Sequence, residues 1–171
     1  HGTKDLSVMR SPQFLYLLEP SPPGKGIRDL TPYEVASRLS YFLWSSMPDD
    51  ELRGAADGGT LSDPTVLRRQ VERMLSDPKS YAFTENFTGQ WLDLRKLGEM
   101  PPDPEKNQAF YKDNLEDAMR DETRLFFSHV LSENRSILDF IDSDYTFLNA
   151  ALARHYGIPN IDHEEFKRVV L

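Results

Sequence analysis

In the stretch "DNLEDAMRDETRLFFSHVL", residues 113–131, a carboxylate and an imidazole, Glu122 and His129, stand two helical turns apart. Read as a helix, that spacing puts both on one face, about 10 Å apart along the axis. Leu115, Ala118, Met119, Leu125, Phe126 and Val130 fall on the same face, which is the face such a helix buries. A carboxylate there is either a general acid/base or ligand opening into a polar pocket, or a group that a neighbour neutralises, since an unpaired buried charge is too costly to persist. Arg38, within "RLSYFLW", is the cation best placed to pair with Glu122, leaving His129 to donate to a carbonyl or reach solvent. Both readings stand: interhelical pairing, or a site with Glu122, His129 and Arg38 near it.

Metal chemistry finds little support. Glu122 and His129 are too far apart to share an ion without ligands from other helices. His129 and Glu133 lie at i, i+4 and could share one, although a surface pair at a helix end is the simpler reading. Di-iron bundles need Glu-x-x-His on two helices, but Leu125 and Ser136 stand three residues after Glu122 and Glu133, and HExxH is absent. His155 reads as a helix-dipole partner near a C-terminus, and His163 as surface. Asp142 and Asp144 in "DSDY" lack the further ligands and the glycine of a calcium loop. Trp44, Trp91 and the many Phe and Tyr residues could stack on a sugar or haem edge, but at helical spacing they read as core.

The elements that must position these groups announce themselves by their caps. Ser11–Pro12 opens a short helix closed by Pro20. Thr31, Pro32 and Glu34 form a capping box for a helix carrying Val35, Leu39, Phe42 and Leu43. Asp49–Asp50–Glu51 opens another, ended by Gly58–Gly59. Asp63–Pro64 starts a helix burying Leu67, Val71, Met74 and Leu75, and Asp77–Pro78 one whose stripe is Phe83, Phe87, Trp91 and Leu94. Gly89 inside that helix predicts a close helix–helix approach. Residues 95–112 form the long irregular segment. Ser136 caps one further turn, "YTFLNAALARHYGIP" gives a last helix closing on Gly157, and "EEFKRVVL" reads as a short C-terminal strand with no partner in sight. The expectation is an all-α, compact bundle of six to eight helices.

Composition bounds the rest. The 171 residues are 39% hydrophobic, enough for one core or two small ones in contact. A formal net charge of −8, with bases scattered among acids, argues against nucleic acid or an anionic membrane as partner. No apolar run reaches the roughly 20 residues of a membrane helix. The absence of cysteine removes disulfides, thiolate metal sites, a cysteine nucleophile and covalent haem attachment from this chain.

"SPQFLYLLEP", "LTPYEVASRLSYFLWSSMPDDEL", "FTENFTGQWLDL" and "DSDYTFLNAALARHYGIP" together resemble two adjoining planctomycete domains of unknown function. Residues 1–54 resemble the C-terminal part of the smaller (domain of unknown function 1595), and residues 55–171 the larger (domain of unknown function 1592). The resemblance implies a piece of a long, exported, multidomain protein, extracytoplasmic, with a cytochrome c-like domain among its neighbours. Haem would sit on that separate domain, with no cofactor in this chain, and carbohydrate is a further candidate partner. No catalytic residues come with the resemblance. The leading expectation is a non-catalytic structural or interaction module. The runner-up is part of a redox or polysaccharide-acting enzyme completed by domains absent here. A third, a small-ligand bundle, would need an apolar cavity beside Trp91.

Overall fold

Mostly short helices, which gain their stability from packing on one another, set the architecture. The computed structural model describes residues 28–171; the helix expected at 11–20 lies outside them. Among the described residues, α1 (Pro32–Trp44), α2 (Asp50–Asp57), α3 (Pro64–Ser76), α4 (Tyr81–Trp91), α5 (Gln108–Lys112), α6 (Leu115–Ser132) and α7 (Ala150–Tyr156) are joined by 3-10 turns at Thr60–Ser62, Pro78–Ser80, Leu94–Lys96 and Ile137–Phe140. The described residues form a helical domain with one small sheet, in which β1 (Tyr145–Leu148) pairs antiparallel with β2 (Lys167–Val170).

Most caps act where the sequence puts them, but Asp77 caps the 3-10 turn Pro78–Ser80, and α4 starts only at Tyr81 with no side-chain cap. Thr31 accepts from the Glu34 amide while the Glu34 carboxylate accepts from the Thr31 amide at 2.8 Å. Arg28 donates to both Glu34 oxygens, at 2.8 and 2.5 Å. That guanidinium, with the Thr31 amide, holds the Glu34 carboxyl down at about 2. Asp49 caps α2 and also takes Arg73 of α3 at 2.7 Å, tying two helices together. Asp63 caps α3, Ser136 caps the turn that follows α6, and Gly157 closes α7 in the left-handed conformation.

Two small cores result. Ala36, Leu43, Trp44, Leu52, Leu61 and Met74 form the first, where the Trp44 indole donates to the Met74 carbonyl at 2.9 Å. Leu115, Ala118, Leu148, Leu152 and Ala153 form the second, from α6, β1 and α7. An aromatic seam joins them: Phe83 of α4 lies 6.0 Å from Phe127 of α6, and Phe126 stacks on Tyr145 of β1 at 5.2 Å. The division expected at residues 54–55 falls inside α2, whose Leu52 and Ala56 pack in one cluster with residues from both sides.

Three local expectations need correction. "YTFL" is strand, not the first turn of the last helix. Asn149 ends it by accepting from the Leu152 amide and starting α7 only at Ala150. The C-terminal strand therefore has a partner within the chain, with Tyr145 opposite Val170 and Leu148 opposite Lys167. At Gly89 the close approach is not another helix. A side-chain carbon there would meet Arg95, 3.3 Å from its Nε, because the chain folds back directly after α4.

Candidate functional site

Glu122 sits in the middle of α6, facing β1 and α7. The Thr146 hydroxyl donates to its Oε1 at 2.5 Å and the Tyr156 hydroxyl to its Oε2 at 2.7 Å. One carboxylate thus anchors the small sheet and the last helix to α6. Burial, reinforced by the Glu122 charge, pushes the Tyr156 phenol above its ordinary range. The expected partner, Arg38, is not there. It lies at the surface of α1 along a shallow apolar groove with Val35, Leu39 and Val71, and no ion pair joins it to Glu122. Two neutral hydroxyls hydrogen-bond to the carboxylate where a guanidinium was expected to pair with it.

His129, two turns on, is wedged edge-on between Tyr145 and Phe147, with ring centroids 5.4 Å away in each case. Its Nε2 is buried without a hydrogen-bond partner among the described residues, so it neither donates to a carbonyl from that atom nor reaches water. Glu133 is exposed at the C-terminal cap of α6. Among the described residues, no group of three or more His, Asp or Glu side chains is arranged to hold a metal ion. Glu122, His129 and Arg38 are therefore not brought to one point.

What the fold does assemble is an aromatic surface centred on Trp91. Phe83, Phe87 and Trp91 stand at i, i+4 and i+8 on α4, with successive centroids 5.4 and 5.5 Å apart. Phe42 of α1 continues the row 5.0 Å from Phe83. From the other side, Phe127 approaches Phe87 at 5.3 Å and Phe140 meets Trp91 edge-on at 5.8 Å. These rings were expected in the core, yet Trp91 is 54% exposed and Phe42 60%. The buried face of α4 is instead Thr84, Thr88 and Gly89. Small residues let the helix sit close to its neighbours and leave the large rings at the rim. The Thr88 hydroxyl returns to the Thr84 carbonyl at 2.7 Å, so it needs no partner on a neighbouring element. The small-residue stripe was the available signal.

Trp91 is the shared wall of three adjoining open clefts. One of about 560 Å³ lies between α1 and α4, with Tyr41, Phe42, Asn86 and Gln90. A second, about 420 Å³, includes Glu122, Asp139, Phe140 and Thr146. A third, about 550 Å³, is mostly apolar, with Phe127, Val130, Ile137 and Ile141 beside Asn134 and Arg135. Asp139 is already committed: Arg135 donates to it at 2.6 Å and the Tyr145 hydroxyl at 3.0 Å, and the guanidinium holds its carboxyl below the usual range. Binding by ring faces and shape is what this surface can do. The hydroxyl–carboxylate pair beside it, Thr146 on Glu122, is spent on tying β1 to α6.

No curated protein and no solved structure matches the chain. One family model does, over residues 30–158, from just before the cap of α1 to just beyond α7. With that match covering both cores and the aromatic seam between them, the chain belongs to the PSD4 family, proteins of unknown function (DUF1592).

Proposed function

We propose that this domain is a non-catalytic interaction module that seats a neighbouring domain of its own polypeptide against the Trp91 face. The observation that carries the reading is the apolar third cleft and its rim, where Ile137 is 77% and Ile141 85% exposed beside Trp91 and Phe127. Contiguous apolar surface of this kind marks a site that something covers. The inward ionisable groups support it, because Glu122 and Asp139 are spent on holding elements together. The occupant is the cytochrome c-like domain that the family resemblance implies, in an extracytoplasmic protein. Among the described residues, the one cation on the cleft wall, Arg135, is paired with Asp139, whereas Glu133 and Asp142, exposed close by in sequence, are in no ion pair and favour a basic docking surface on that domain. The test is titration of this domain with the separately produced cytochrome c-like domain, followed by hydrogen exchange. Protection of Phe87–Trp91 and of 137–141, lost in Ile137→Ser/Ile141→Ser, is the expected result. Absence of binding, or protection confined to another face, overturns the reading.

A second reading rests on the second cleft, where Glu122 and Asp139 share an opening with Trp91. There this domain would supply one wall of a redox or polysaccharide-acting site completed by another domain. Haem reduction by polysaccharide fragments in the longer protein, abolished by Glu122→Gln with folding intact, would favour it.

A further inference from the structure

The cleft between α1 and α4 differs in kind from the apolar one on the far side of Trp91. Its rings are Tyr41, Phe42, Phe83, Phe87 and Trp91, all but the half-buried Phe83 open to solvent. Interleaved with them are neutral hydrogen-bonding groups: the Gln90 and Asn86 amides and the Ser45 hydroxyl. Asn86 is held in place, donating to Ser45 Oγ at 2.9 Å and accepting from Arg95 at 3.0 Å. Ser45 is itself fixed in the left-handed conformation (φ 51°) as the C-terminal cap of α1, a position non-glycine residues seldom take. Gln90 and the Tyr41 hydroxyl make no hydrogen bond with any other described residue and point no charge into the groove.

We infer that this groove binds a neutral oligosaccharide. The lining selects against the alternatives. A polyanion such as single-stranded nucleic acid needs bases along its track, and this lining carries no charged side chain. A lipid or other wholly apolar ligand would strip water from the Gln90 amide and the Tyr41 hydroxyl and return no hydrogen bonds. A sugar chain has what the groove asks for. Each pyranose ring offers a face of C–H groups to lie on an aromatic ring, and a rim of uncharged hydroxyls that amides can both donate to and accept from. Phe87 and Trp91 succeed one another at 5.5 Å along α4, so consecutive sugar units can lie on consecutive rings. The cleft is open rather than enclosed, which suits a chain better than a single sealed-in sugar.

The experiment is isothermal titration of the domain with cellohexaose, laminarihexaose and mannohexaose, with heat melts of each variant to confirm folding. Saturable binding of at least one of the three is expected. Trp91→Ala, Gln90→Ala and Tyr41→Ala should each weaken it about tenfold, the scale of one lost aromatic or hydrogen-bonding anchor. Ile141→Ser should leave it unchanged. Binding of none of the three at the highest soluble concentration overturns the inference, as does binding that survives all three groove variants. The two proposals separate cleanly, since Tyr41→Ala leaves docking of the neighbouring domain intact and Ile141→Ser leaves sugar binding intact. Loss of cytochrome-domain docking in Tyr41→Ala would assign the groove to protein and overturn the inference too.

Discussion

At the scale of single residues, Glu122 does with two hydroxyls what an ion pair was expected to do, and the difference has a magnitude. Breaking a buried ion pair strands the opposite charge and costs about 3–5 kcal/mol. Removing Glu122 strands only the Thr146 and Tyr156 hydroxyls, of which Tyr156 stays partly in water. Glu122→Ala should therefore lower stability by about 2–3 kcal/mol, the worth of hydrogen bonds to a charged acceptor, as read from urea unfolding. In the same variant the Tyr156 phenol should titrate closer to the ordinary tyrosine range, since one of the causes raising it is gone. Ultraviolet difference titration follows this directly, and an unmoved phenol would mean that burial alone sets it. Glu122 as an inward group was legible from helical spacing. Its partners were not, because Thr146 lies on a strand the sequence disguised as helix.

At the scale of elements, polar punctuation was the most legible part of the chain. Thr31, Asp49, Asp63 and Ser136 cap where their side chains say they should, because a cap is a local bond between residues two or three apart. What stayed hidden depended on distant partners. "YTFL" continues the apolar pattern of α7 and becomes strand only because β2, some twenty residues on, pairs with it. The outward turn of Phe87 and Trp91 depends on which face of α4 its neighbours crowd. The cap of α1 also carries a pH dependence. In the folded chain the Glu34 carboxyl sits at about 2 against an ordinary 4.5, held down chiefly by Arg28. On acidification the unfolded chain takes up that proton first, so the contribution is full above about 4.5 and fades as pH falls towards 2. Glu34→Gln should flatten the acid limb of a circular dichroism titration across that window, and an acid limb identical to wild type would remove Glu34 from the account.

At the scale of the whole molecule, two cores of a few residues each are marginal on their own, and the aromatic seam is what makes one cooperative unit of them. Leu152, fully buried in the second core, contacts nothing in the first. Leu152→Ala should cost about 2–5 kcal/mol. If the seam couples the cores, the loss appears undiminished when unfolding is followed from Trp44 in the first, with Trp91→Phe present to silence the other indole. A Trp44 transition left unmoved would show two independently melting halves. The strand pairing sets a further order on how the molecule is made. β1 is complete when residue 148 leaves the ribosome, but the residues that ladder with it, Lys167–Val170, come later than all of α7. Until then the strand carrying Thr146 has a bare edge, and Glu122 is anchoring an unfinished sheet. A pause in translation anywhere between 149 and 166 prolongs that interval, and with it the time in which a second nascent chain can supply the missing strand.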